Sequence, residues 1–416
     1  MARAHTLVAV VALAIAQSAI SPVLTPARAQ EAKPQAMRWE KATLSKEFFS
    51  EGAHAADLDK DGHVDIVAGG LWFRGPDFKQ RLEYYAAKPF DPKNYSKHFL
   101  TYVGDVTGDG WTDIIVLGFP GELVNLYVNP ASPEGLKGHW KRHDVVNGLD
   151  NESPVFTDLL SDGKGQVVGS FKGAFGYWKP GEDATKPWPF HPISESNKAG
   201  GRFTHGLGVG DVNGDGRADL LEKNGWHEQP ASLAGDPKWA FHAFPFAPGQ
   251  GGAQMYAYDV DGDGRNDVIT ALEAHGYGLA WYQNLPDPKS GLTFKRHTIV
   301  GKTAKDTAHG VVITQMHALA MVDVDGDGLK DLVTGKRWWA HGPKGDPESD
   351  KPAVLYWFQL RRSGAADQPA SYIPHLIDDD SGVGTQVEAL DVNGDKLPDV
   401  VVGAKKGVYV LAQRKG

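Results

Sequence analysis

The densest chemistry in this sequence is a recurrent cluster of carboxylates. Asp57, Asp59, Asp61 and Asp65 occupy positions 1, 3, 5 and 9 of a short segment with Gly62 at position 6. Asp259, Asp261, Asp263 and Asp267 repeat the spacing around Gly264, and Asp323, Asp325, Asp327 and Asp331 repeat it around Gly328. Asp211, Asn213, Asp215 and Asp219 make a fourth copy. Two copies are weaker. Asp105, Asp109 and Asp113 carry Thr107 at position 3, and Asp391, Asn393, Asp395 and Asp399 carry Lys396 where the turn glycine belongs. In a seventh, Asp158 and Asp162 survive while Leu160 and Gln166 replace the other two. Carboxylates so spaced converge on one point and offer only hard oxygen donors, which suits calcium; zinc or copper would call for His or Cys. An EF-hand needs Glu at position 12 and flanking helices, whereas position 12 here is Ala68, Thr270 or Thr334 and the flanks are β-branched runs. Solvated Asp-Gly hairpin turns are the plainer alternative, but they do not account for regular recurrence. Several bound calcium ions are expected.

The elements that must carry these loops follow from the spacing. The first aspartates fall at 57, 105, 158, 211, 259, 323 and 391, which is 48 to 68 residues apart. Such a period signals a propeller or solenoid. A segment such as Trp140 to His143, Trp239 to His242 or Phe294 to His297 precedes the next loop, and an aromatic strand such as Trp281 and Tyr282 or Tyr356 to Phe358 closes each unit. That makes four short strands per unit with no helical periodicity. The expected fold is all-β: a seven-bladed β-propeller over residues 30–416, with calcium-binding hairpin loops. The segment at Trp39 is expected to pair beside Val408 to Leu411 and close the ring.

Residues 1–29 read as a signal peptide. Arg3 is the positive start, Leu7 to Ala16 the apolar stretch, and Ala27, Arg28 and Ala29 the small-x-small cleavage pattern. The stretch is too short to span a bilayer. The protein is therefore expected outside the cytosol, periplasmic or extracellular, with no membrane span. It has no cysteine, so metal ions rather than disulfides are expected to brace it. A net charge of −9 disfavours nucleic acid as a partner.

With these loops the chain resembles the FG-GAP and VCBS repeat family, the calcium-binding propellers of integrin α-chains and of many secreted bacterial proteins. The likeness covers nearly all of the sequence after the leader, and it implies fold rather than function. The arrangement is also similar to the propeller of the aldos-2-ulose dehydratases, metal-dependent enzymes that eliminate water from keto-sugars.

Topology puts all the acidic loops on one face, so the residues entering each first strand and leaving each second strand meet on the other. Entering are His54, Glu152, His205, Gln254, His317 and Gln386; leaving are Trp72, Lys172, Lys223, Trp226, Glu273, His275, Lys336, Arg337, Trp338 and Lys405. Among these, Trp72, Lys223, Trp226, Glu273, His275, Lys336, Arg337 and Trp338 are candidate ligand-binding residues. Polar groups pair with sugar hydroxyls and rings cover apolar sugar faces. His54, Glu152, His205 and His317 are the candidate rim set for a transition metal or for acid–base work. The plainer reading is a wide rim that must be polar anyway. His143, His191, His242, His297 and His375 recur at one position of successive units and are read as structural. There is no Gly-x-Ser-x-Gly elbow, and Gly206, Gly208 and Gly210 precede an acidic loop rather than a helix, so no dinucleotide fingerprint exists. Residues 338–352 read as a long loop over the rim. Three functions follow: a module binding carbohydrate or another small polar ligand, a metal-dependent lyase on keto- or anhydro-sugars, and an adhesion or scaffold module with a protein partner.

Overall fold

The structure, a computed structural model, describes residues 37–307 and 309–415. The proposed signal peptide lies outside the described residues. The described chain is all-β and propeller-like, built from small antiparallel sheets. Five sheets have four strands each and a sixth has seven. In the seven-stranded sheet the long strand Lys141–Thr157 pairs with Glu122–Val128 through its first half and with Gln166–Phe171 through its second. Its bend falls at Asn151, which takes φ 77°, and this sets Glu152 where the two halves meet.

One unit shows the logic of all. Ala53–Ala56 runs into the loop of Asp57, and Asp65–Ala68 leaves it with every residue buried. Leu71–Arg74 and then Gln80–Glu83 follow outward, the last largely exposed. β-branched residues fill the second strand because it is covered on both faces. Positions 4 and 6 of every acidic loop have positive φ: Lys60, Gly108, Ser161, Gly214, Gly262, Gly326 and Gly394 at position 4, and Gly62, Gly110, Gly163, Gly216, Gly264, Gly328 and Lys396 at position 6. Glycine dominates because only it takes that conformation without strain; Lys396 takes it at φ 67°.

First strands of neighbouring units lie against one another. Ala53–Ala56 touches Leu100–Gly104 on one side and Val387–Leu390 on the other, so the first and last sheets are adjacent. Arg38–Ser45 pairs antiparallel with Gly407–Arg414, Trp39 opposite Gln413 and Lys41 opposite Leu411. Among the described residues no helix is long and apolar enough to cross a membrane.

Candidate functional site

The residue six places before each loop's first aspartate lies one to three residues ahead of a first strand, except Glu152, which sits at the bend of Lys141–Thr157. Those positions are Glu51, Phe99, Glu152, His205, Ala253, His317 and Thr385. His205 and His317 stand two residues ahead of Leu207–Gly210 and Leu319–Val322. Side chains leaving the second strands close over them, among them Arg337 and His275.

Three imidazoles gather there. The ring centroids of His205, His275 and His317 are 4.7 to 5.3 Å apart, and the planes cross at 74° to 89°, edges inward rather than stacked. One nitrogen from each lies within 4.8 Å of the others. His317 Nδ1 faces the Gln315 carbonyl at 3.1 Å. A carbonyl only accepts, so Nδ1 carries the proton and Nε2 keeps its lone pair. That Nε2 is buried with no hydrogen-bond partner, as is His205 Nδ1. Burial, reinforced by the Arg337 cation, holds His317 well below the ordinary histidine value, and burial lowers His275 as well. Neutral rings with free lone pairs are what a metal requires.

Carboxylates complete the set. Glu152 Oε2 lies 3.2 Å from His205 Nε2 and 3.7 Å from Arg337 Nη1. Burial opposes its charge, yet His205 and Arg337 hold its carboxyl below the usual value. Arg337 is 1 % exposed, paired with Glu51 and set 5.5 Å from the Phe99 ring. Beside His275 stands a second group: His341 Nδ1–H donates to Asp346 Oδ1 at 2.8 Å, and Asp346 is 3.5 Å from His275 Nδ1. Burial works against the Asp346 charge, but these two imidazoles bring its carboxyl down to about 2. Above the cluster opens a cavity of about 810 Å³ whose lining includes Glu152, Glu273, His275, His341 and Asp346.

The expected rim set is thus brought together except for His54. It stands three residues before Asp57 instead of six, inside its strand, and lies 3.8 Å from Glu388 instead. Of the expected ligand-binding residues, Glu273 and His275 line the cavity, and Lys223 Nζ donates to the Gly249 carbonyl at its edge. Arg337 lies beneath it. Trp72 and Trp226 are corrections: they sit on third strands, are 1 % and 3 % exposed, and pack in the core away from the cavity. Lys336 is buried and spends its ammonium on the Glu348 and Lys351 carbonyls, which anchors the loop 338–352. Trp338 stacks on Trp339 at 3.8 Å. Of the repeated histidines, His191, His242, His297 and His375 stack on Tyr177, Trp226, Trp281 and Trp357 of the preceding, paired strand at 4.1 to 4.9 Å, as a structural role requires. Sequence reasoning missed Glu51, His341 and Asp346. The six-residue register pointed to Glu51; nothing in the repeat pointed to the other two, which lie in the loop 338–352.

At the opposite end, the first aspartate of every loop accepts the N–H of position 6, from Asp57 with Gly62 at 3.0 Å to Asp391 with Lys396 at 2.7 Å. Oxygens of Asp57, Asp59 and Asp61, of Asp259, Asp261 and Asp263, and of Asp323, Asp325 and Asp331 close to within 4.8 Å. The ninth aspartate lies beneath the loop and accepts two backbone N–H groups, as Asp65 does from Leu58 and Gly75. Burial nevertheless pushes Asp65, Asp219, Asp267 and Asp331 up to about 7. An adjacent cation would restore their charge. The donor chemistry fits calcium. In the eroded loop Lys179 reaches Asp162 at 2.5 Å, and Gln166 Oε1 takes the Leu160 N–H at 3.2 Å. Arginines likewise reach carboxylates of the intact loops, Arg74 to Asp59 and Asp61 and Arg361 to Asp327, so what sets the eroded loop apart is its missing donors at positions 3 and 9.

Fold and site together define a propeller-like protein with acidic hairpin loops at one end and an imidazole–carboxylate cavity at the other. Residues 259–334, which span two of those loops, match the model of the FG-GAP-like repeat. Among solved structures, an Agrocybe aegerita lectin studied for recognition of non-reducing terminal N-acetylglucosamine is 16% identical, with 86% of this chain and 88% of that one covered and a TM-score of 0.44. The V. cholerae biofilm matrix protein Bap1 is 15% identical over 76% of this chain and 41% of its own, with a TM-score of 0.31. BBS1N in complex with ARL6DN is 10% identical over 90% of this chain and 98% of its own, with a TM-score of 0.47. No curated protein matches the chain. The likeness to the aldos-2-ulose dehydratases has no counterpart among these matches.

Proposed function

We propose that the chain is an exported, calcium-stabilised seven-bladed propeller that binds a carbohydrate-type ligand over a divalent transition metal in its cavity. One observation carries the reading: His205, His275 and His317 converge, Glu152 stands beside His205, and His275 and Glu152 line a cavity of about 810 Å³. Three imidazoles and a carboxylate suit zinc or a similar ion. The acids and imidazoles above them suit hydroxyl groups. The seven-blade count is supported by the sheets, since the seven-stranded one divides at Glu152 into two four-stranded units. Calcium would be held by the loop carboxylates named above.

A second reading, as a lyase on keto- or anhydro-sugars, is favoured by the His341–Asp346 pair beside the metal donors. A metal bound there would polarise a substrate carbonyl. Because Asp346 takes the Nδ1 proton, His341 keeps a lone pair on Nε2 to accept the proton acidified next to that carbonyl. The electrons of the broken C–H bond form the new double bond, and the neighbouring hydroxyl leaves as water, taking the proton that His341 received.

The test pairs elemental analysis with an ultraviolet assay for enone formation on a panel of keto- and anhydro-sugars. One transition-metal ion per chain is expected, lost in both His205→Ala and His317→Ala, with enone formation only in metal-loaded protein. Failure to take up such an ion sinks the site. Metal and sugar binding without enone removes the lyase and keeps the binding module.

A further inference from the structure

The cavity has a second wall that the metal donors leave unused. Tyr95, Phe119 and Phe203 run along it with successive ring centroids 5.4 and 5.8 Å apart, tilted by 43° and 60°. Phe99 backs Phe119 edge-to-face at 5.3 Å. Phe203 is 46 % exposed and Tyr95 36 %; among the described residues, only Phe241 and Leu376 are large apolar side chains as open. Two such rings in one concave site are not scattered surface apolarity, and leaving them in water costs free energy. Arg202 lies against the same wall. Its guanidinium is 5.3 Å from the Phe203 ring and 5.9 Å from Phe119, and its Nε–H donates to the Pro120 carbonyl at 2.6 Å. The same lining carries Glu152, His275, His341 and Asp346, the His341 ring 6.5 Å from that of Tyr95. A molecule that satisfies both the rings and these polar groups has apolar faces and hydroxylated edges, as a pyranose does. The volume lies high in the range of ~300–1,000 Å³ that encloses drug-sized ligands, more than one free monosaccharide fills.

We infer that Tyr95, Phe119 and Phe203 form a stacking subsite for a second sugar ring, so that the ligand is the end of an oligosaccharide and not a free monosaccharide. The inference rests on the carbohydrate reading of the cavity. Stacking on these rings adds affinity through ring contact, so its mark is a dependence on chain length.

The experiment is calorimetric titration of the zinc-loaded full chain with three matched series: glucose, cellobiose and cellotriose; xylose, xylobiose and xylotriose; galacturonate and its dimer and trimer. In a series that binds, the step from monomer to dimer should lower Kd about tenfold. Phe203→Ala should erase that step while zinc content stays the same, and Phe203→Trp should keep it. Equal Kd for monomer and dimer overturns the subsite while the carbohydrate reading stands, and so does a Phe203→Ala loss as large for the monomer as for the dimer. Absence of binding in all three series overturns the carbohydrate reading and the subsite with it.

Discussion

For a single side chain in this molecule, burial favours the neutral form, and an opposite charge at contact distance reverses that, as it does for Glu152 and Arg337. His317 and His227 are both buried imidazoles, but only His317 has a carbonyl to take its proton and neighbours that converge on its lone pair. His227 lies between Phe175 and Phe241 with neither nitrogen partnered, and burial pushes it down to about 4 from 6.5. Between those values the unfolded chain binds a proton that the folded chain refuses. The stability contributed by neutral His227 is therefore complete above the ordinary value and is lost as pH falls toward the folded one. His227→Phe removes this liability. The stability of the variant relative to the parent should rise by up to about 3 kcal/mol between about pH 7.5 and about pH 4.5. Urea melts at the two values measure it, and an unchanged difference would refute the assignment.

The acidic loop is the unit at the next scale. All seven copies share the two left-handed positions and the bond from the first aspartate to the position 6 N–H, including the copy that has lost half its acids. Conformation is thus carried by the turn residues with the first aspartate, while a calcium ion would need that aspartate and the other loop carboxylates together. Asp323→Ala should lower the calcium content by one ion per chain and lower the melting temperature. Asp158→Ala should leave the calcium content unchanged, because Leu160 and Gln166 already leave that loop without two of its four donors. Chelation by EGTA should lower the melting temperature of the parent by mass action. A melt indifferent to EGTA, with equal ion counts in both variants, would remove calcium from the account.

Across the whole molecule, neighbouring units are latched by a repeated amide. Asn129, Gln229, Asn284 and Gln413 sit at the ends of third strands, and each donates from its side chain to the carbonyl at position 2 of the preceding unit's loop, Leu58, Leu159, Val212 or Val324. All four are at least nine-tenths buried. Arg362 does the same for Val260 at 3.0 Å. Asn284 also serves Asn266 at 2.9 Å, so Asn284→Ala would orphan the buried Val212 carbonyl and the half-buried Asn266 carbonyl. That should cost about 1 to 3 kcal/mol, with calcium content and zinc content preserved. Denaturant unfolding of the purified variant checks it; a loss below about 0.5 kcal/mol would show that water replaces the latch.

Local patterns carried the all-β architecture, the repeat of acidic hairpins and the closure of Arg38–Ser45 against Gly407–Arg414. Alternation, turn residues and period are short-range properties that a reader of the chain can count. The histidine pair His205 and His317 was legible for the same reason, through a shared distance to the next loop. Which aromatics are free was not. Trp72 and Trp226 read as rim residues but pack in the core, while Tyr95, Phe119 and Phe203 went unremarked and face the cavity. His341 and Asp346 lie outside the repeat, and only the folding of the loop 338–352, clamped by Gln315 at Ala340 and Pro347, brings them to His275. Spacing within a strand fixes direction, but distances between residues of different units depend on how the sheets are set around their common centre. That is a property of tertiary packing alone.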